Sequence, residues 1–182
     1  MQFEATTIPD VIRITPRVLT DERGSFMETW QGIKFREGGI DATFAQDNES
    51  SSGQWVLRGL HFQIQQAQGK LVRAVTGEIF DVAVDLRRSS PTFGRWVGET
   101  LSAANRRMLW VPAGFAHGFL VLSHSAQVAY KATDYYAPTY ERCLRWDDPE
   151  VAIRWPLPPG VVPILGAKDR AAPGLKDADL FP

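Results

Sequence analysis

Cysteine is nearly absent from this chain: Cys143 is the only one in 182 residues. One thiol cannot close an internal disulfide, and it cannot supply the repeated sulfur ligands of a cysteine-based zinc site. It fits a reducing compartment, so a cytoplasmic location is expected. No stretch approaches the roughly 18 consecutive apolar residues of a membrane span. The N-terminus has no basic start followed by an apolar run, so no secretory signal is expected. Charge of one sign is also missing. Lys and Arg number 20 against 21 Asp and Glu, with no basic cluster, which argues against nucleic acid or a membrane surface as partner. Helical periodicity is scarce. The best helix candidate covers 30–37, with a start at Glu28-Thr29, and Ser102 to Asn105 reads as a turn.

What is present is a period of two. In Glu78 to Arg87, Phe80, Val82, Val84 and Leu86 alternate with Asp81, Ala83 and Asp85. Segments 69–76, 108–111, 119–122 and 127–131 are further short runs rich in Val, Leu, Phe and Tyr. Gly77, Pro91, Gly94, Pro112, Gly114 and Gly118 punctuate them. Short strands at this spacing predict an all-β sandwich or barrel of antiparallel strands. With 44% hydrophobic and 23% charged residues, the chain has the composition of one globular domain spanning 1–182. Its end differs: from Trp155 onward, Pro156, Pro158, Pro159, Pro163 and Pro173 predict an irregular arm laid over that domain.

Two of the three histidines sit in distinctive surroundings. His61 lies in Leu57-Arg58-Gly59-Leu60-His61-Phe62-Gln63, with Lys70 on the next strand-like run. Histidine exchanges protons near neutral pH, and Arg or Lys beside it can hold a phosphate or a developing oxyanion. The competing reading is a histidine packed in a strand core. Strict alternation places Arg58 on the face opposite His61, so both reach one pocket only if the strand is broken; Gly59 is the natural site for a bulge. His117, bracketed by Gly114 and Gly118, is expected on a turn at the barrel mouth, and His124 in a solvated loop. No His-x-His or His-x-x-x-His spacing occurs, so no metal centre is expected. Tyr130, on a strand, is either a proton donor or a packed ring. Tyr135 and Tyr136 at a strand end suit a lid or a stacking platform. Asp21-Glu22-Arg23-Gly24 reads as a turn.

Taken together, these segments resemble one family, the cupin-type dTDP-4-dehydrorhamnose 3,5-epimerases. The resemblance runs from Asp21-Glu22-Arg23-Gly24-Ser25-Phe26-Met27-Glu28 through Gln46-Asp47-Asn48, Leu57 to Gln63 and Gly69-Lys70-Leu71-Val72-Arg73. It continues through Phe80 to Arg87, Ser90-Pro91-Thr92-Phe93-Gly94 and Pro112 to Phe119, and ends at Lys168-Asp169. It implies a cupin-like jelly-roll barrel with few short helices. It also implies a proton-abstracting base at His61, a carboxylate partner at Asp169, a proton donor at Tyr130 and a cation for the sugar's C4 oxygen at Lys70. Arg23, Phe26, Glu28, Gln46, Asn48, Arg58, His117, Glu141 and Lys168 fall where the family holds the nucleotide sugar, and Tyr136 where a ring stacks on thymine. Gly166 stands where serine is common in the family.

The resemblance further implies no metal or other cofactor and a homodimer that exchanges its N-terminal segment, within 1–50, so that Arg23 and Glu28 serve the partner's site. The implied reaction inverts C3 and C5 of dTDP-4-dehydro-6-deoxy-D-glucose. Both centres flank the C4 ketone, so losing either proton gives an enolate whose charge a fixed cation can meet, and inversion needs a donor opposite the base. Alternatives are a relative that inverts one centre only, a non-catalytic cupin that binds nucleotide sugar, and a metal-dependent cupin oxygenase.

Overall fold

The computed structural model describes all residues, Met1–Pro182. Its strands in chain order are β1 (Gln2–Ala5), β2 (Ile12–Thr15), β3 (Val18–Asp21) and β4 (Gly24–Met27), then β5 (Gln46–Gly53), β6 (Val56–Gln63), β7 (Lys70–Thr76) and β8 (Glu78–Asp85). They continue with β9 (Trp96–Ser102), β10 (Met108–Val111), β11 (Phe115–Val121), β12 (Ser125–Ala132), β13 (Glu141–Cys143) and β14 (Ile164–Leu165). Two short α-helices, α1 (Gly32–Glu37) and α2 (Ala167–Arg170), and a single 3-10 turn at Pro138–Tyr140 complete the regular structure. One sheet has the order β1-β2-β10-β7-β12-β5, the other β13-β6-β11-β8-β9. Pairing within these paths is antiparallel; β14 adds to β6 in parallel. This is the antiparallel all-β architecture expected from the period-two pattern, and the cupin-like jelly roll that the family resemblance implied.

The two sheets face each other over a core that includes Val72, Ile79, Ala83, Leu101, Leu109, Phe119, Val121 and Val128. Strand alternation sends the other side chains outward, and two coverings bury those as well. Val82, Val84, Leu86 and Ala116 meet Val151, Leu175 and Ala178, with Phe181 against Phe62. The proline-rich arm thus forms a second layer over the β6-β11-β8 sheet. Ile14, Leu71, Met108 and Trp110 meet Phe35 and Ile40, so α1 and its exit turn cover part of the other sheet. This double covering explains why β8 and β11 read as apolar on both faces.

Edge strand β5 differs, with the sequence QDNESSSG and a strictly alternating burial pattern. Gln46, Asn48 and Ser50 point into the space between the sheets, while Asp47 and Glu49 point out. Charged outer residues on an edge discourage further strand pairing.

Two local expectations need correction. The helix begins at Gly32, not Trp30, because Gln31 adopts extended backbone and its side-chain oxygen accepts from the Lys34 N–H at 2.7 Å. His117 is not on a turn. It sits in mid-β11 and is 7% exposed. Gly118 serves close packing instead of chain reversal: a Cβ there would lie 2.6 Å from the Arg58 carbonyl oxygen on β6. Ser102 ends β9, and its side chain and that of Asn105 each accept from the other's backbone N–H at 3.0 Å, closing the expected turn.

Candidate active site

A cavity of about 580 Å³ opens between the two sheets. His61, on β6, and Tyr130, on β12, line it from opposite sheets. Lys70, on β7, and His117, on β11, also line it, and α2 contributes Lys168 and Asp169. Gln46 and Asn48 come from the edge strand, Arg58 from β6, Tyr136 from the loop before β13, and Glu141 from β13.

The β6 segment reaches this arrangement through an irregularity at Gly59. His117 is opposite His61, but Phe119 is opposite Arg58, so β6 spends one extra residue there. Gly59 has φ +135°, and a Cβ on it would stand 2.6 Å from Gly118 Cα. Only glycine meets both demands without strain. The break brings Arg58 and His61 to one cavity, as the alternation argument required.

Asp169 reaches His61 from 108 residues away. β14 pairs with β6 at Val56 and Leu57, and α2 follows directly, which sets the carboxylate beside the imidazole. His61 Nε2–H donates to Asp169 Oδ1 at 2.6 Å, and the Gly59 N–H donates to Oδ2 at 3.4 Å. Burial pushes the His61 pKa down; Asp169 opposes this without reversing it. Burial raises the Asp169 carboxyl, but His61, the Gly59 N–H and Lys168 outweigh it, and the net shift is downward. The pair therefore presents a neutral imidazole at neutral pH, with Nδ1 as its basic nitrogen.

Lys70 is buried, and its ammonium donates to the His61 carbonyl oxygen at 3.4 Å. Burial lowers its pKa to about 8, with Asp81 and then Glu141 working in the opposite direction. Burial raises the Tyr130 phenol, which keeps it protonated and able to donate. Toward the rim, Glu141 accepts from the Tyr136 hydroxyl at 3.1 Å and from Lys168 Nζ at 2.7 Å. The Gln46 side chain donates to Asn48 Oδ1 at 2.8 Å and accepts from the Tyr136 N–H at 2.9 Å. Tyr136, 51% exposed, offers a ring face at the mouth.

Three expected site residues stand apart. Arg23 and Phe26 belong to the β3-β4 hairpin, where Arg23 pairs with Asp21 and Phe26 is 69% exposed. Glu28 pairs with Lys34 at 2.7 Å. None of the three lines the cavity within one chain.

Residues that sequence reasoning passed over include Ser50 and Gln68, both lining the cavity, and Asp81, bonded to His117 at 2.8 Å. Asp81 was visible only as a polar member of the alternating β8 run. Cys143 also enters the picture. Its sulfur and the nearest donor atoms of His61 and Asp169 all lie within 4.8 Å of one another. Pairwise sequence spacing could not reveal that grouping. It does not suit a metal, because His61 Nε2 and Asp169 Oδ1 already bond to each other and burial pushes the thiol up to about 11.

A jelly roll with a carboxylate-supported histidine, an opposed phenol and a buried lysine in one polar cavity defines a class of cupin-like sugar-modifying enzymes. The family model for dTDP-4-dehydrorhamnose 3,5-epimerase matches residues 5–177, and the chain belongs to that family. It is 57% identical over 183 residues to the dTDP-4-dehydrorhamnose 3,5-epimerase of Pseudomonas aeruginosa, covering all of both chains. It is 54% identical to the Salmonella typhimurium enzyme of the same name, over 95% of this chain and 94% of that one. Among solved structures it resembles a dTDP-6-deoxy-D-glucose-3,5-epimerase from Legionella pneumophila in complex with dTDP-4-keto-L-rhamnose. The TM-score is 0.94 and the identity 50%, covering 99% of this chain and 97% of that one.

Proposed function

We propose that this chain is an epimerase that inverts C3 and C5 of dTDP-4-dehydro-6-deoxy-D-glucose to give dTDP-4-dehydro-L-rhamnose. The observation that carries the reading is the placement of His61 and Tyr130 on opposing sheets across one cavity, with Lys70 between them in the chain and in the same wall system. His61 takes the proton from carbon next to the C4 ketone, and the bond's electron pair moves onto the ketone oxygen. The Lys70 ammonium meets that charge where it develops, in a site that needs no reorganisation. Tyr130 delivers a proton to the other face, which inverts the centre. Asp169 keeps the imidazole oriented and stabilises its cationic form after proton capture. The same groups serve C3 and C5, since both carbons flank one ketone.

Substrate positioning follows from the rim. Tyr136 stacks on the thymine, and Arg58, His117 and Lys168 hold the diphosphate and sugar, with Gln46, Asn48 and Glu141 completing the polar wall. Arg23, Phe26 and Glu28 act in the site of a second copy of the chain, reached by exchange of the N-terminal hairpin in a homodimer. Their exposed position, away from the chain's own cavity, supports this reading.

The test is proton NMR of the substrate in deuterated water with purified protein. Deuterium should enter at both C3 and C5 as product forms. Incorporation at one carbon alone would replace this reading with a single-centre epimerase, and none at all, with binding retained, would leave a nucleotide-sugar-binding cupin.

A further inference from the structure

Four aspartates are buried: Asp81, Asp85, Asp148 and Asp169. Three have their oxygens fully employed. Asp85 receives Arg87, Ser90 and Thr92. Asp148 receives the backbone N–H groups of Glu150, Val151 and Leu175. Asp169 receives His61 and the Gly59 N–H. Asp81 is the exception. It is fully buried, its Oδ1 accepts from His117 Nε2–H at 2.8 Å, and its Oδ2 has no hydrogen-bond partner.

A buried carboxylate with an unbonded oxygen is costly unless a nearby cation offsets it. Lys70 is the only lysine or arginine among the buried residues. His117, the group Asp81 holds, lines the same cavity as Lys70. His117 and Asp81 share a face of the sheet, because His117 is opposite Ala83 and Phe119 opposite Asp81 on the paired strands β11 and β8.

We propose that Asp81 is an electrostatic positioning residue for the epimerase site, keeping Lys70 in its ammonium form while fixing the His117 ring in the cavity wall. The role rests on the proposed epimerase reading, in which Lys70 must be cationic to meet the enolate oxygen. Burial works against that charge, and Asp81 is the foremost group opposing it. The other charges facing Lys70 divide: Glu141 from β13 supports the ammonium, and Lys168 from α2 works against it. His61, beside it on β6, presents a neutral ring, and Tyr130 from β12 faces the same cavity as a neutral phenol. Asp81 therefore supplies the negative charge that a lysine enclosed by protein would otherwise lack.

The experiment is the pH dependence of kcat and kcat/KM, read by deuterium incorporation, for the wild type, Asp81→Asn and His117→Gln. In the wild type, activity should fall as pH rises through about 8, where Lys70 loses its proton. Asp81→Asn keeps a hydrogen-bonding side chain and removes the charge. Its basic limb should move down by about one pH unit, with kcat about five- to tenfold below wild type at pH 8 and above but within about twofold near pH 6.5. His117→Gln keeps the carboxylate, so its limb should stay in place while KM rises. An unmoved limb in Asp81→Asn, or an equal shift in both variants, overturns the proposal. So does loss of the cooperative melt in Asp81→Asn, which would make the carboxylate a support of the fold. A wild type that incorporates no deuterium refutes the epimerase reading itself, whatever the variants do.

Discussion

At the scale of single residues, the proposed reaction divides the two halves of an inversion between two side chains. In that proposal His61 removes a proton and can return one to the same face, and Tyr130, which lines the cavity from the other sheet, completes the change of hand. Tyr130→Phe removes the donor and little else, since the ring is partly buried against the core and the hydroxyl has no hydrogen bond within the chain. Product formation should fall by about 10²- to 10⁴-fold, the usual worth of a positioned acid. Exchange of substrate protons with solvent should persist, because His61 still forms the enolate. Rapid-quench NMR would show deuterated substrate of unchanged configuration. If exchange disappears together with inversion, the division of labour between the two groups is wrong.

At the scale of elements, the Gly59 break in β6 is the feature on which the site depends most. Gly59→Ala faces a left-handed φ of +135° and a Cβ contact at 2.6 Å with Gly118 Cα. Strain and overpacking each cost about 1–3 kcal/mol, so a loss of about 2–6 kcal/mol is expected in urea denaturation. Any folded fraction should have a misplaced His61 and little activity. A variant as stable and active as wild type would show that the break is dispensable. This element also marks how far sequence carries. The bulge followed from setting Arg58 and His61 against strict alternation, and β7, β8, β10, β11 and β12 followed from the short alternating or apolar runs, whereas the polar edge strand β5 and the short β1 to β4, β13 and β14 gave no such signal. His117 was misplaced because Gly114 and Gly118 resemble turn punctuation, whereas Gly118 is needed for the close passage of β6 and β11. That demand comes from a strand more than fifty residues away and leaves no local trace. The helix start was missed because glutamine is an uncommon cap, and its role depends on a hydrogen bond to Lys34. The His61–Asp169 and His117–Asp81 pairs likewise join distant segments, and no spacing rule finds them; Asp169 was reached through family resemblance, Asp81 not at all.

At the scale of the whole molecule, one chain builds a cavity but leaves Arg23, Phe26 and Glu28 outside it. If those residues complete a neighbour's site, two inactive variants should rescue each other. Arg23→Ala subunits retain the His61 machinery, and His61→Ala subunits retain an intact hairpin. After mixed refolding, random pairing makes half the dimers mixed, each with one complete site, so about one quarter of wild-type activity should return. No recovery above the separate variants would place the hairpin in its own chain's site or remove it from function.

The docking of α2 against β6 also has a meaning in time. The histidine strand is made first, and its carboxylate partner follows 108 residues later. A half-made or clipped chain could close much of its barrel yet carry an unsupported imidazole. The proposed enolate chemistry, which would be hazardous in a site that cannot finish the inversion, would thereby be deferred until α2 has been made.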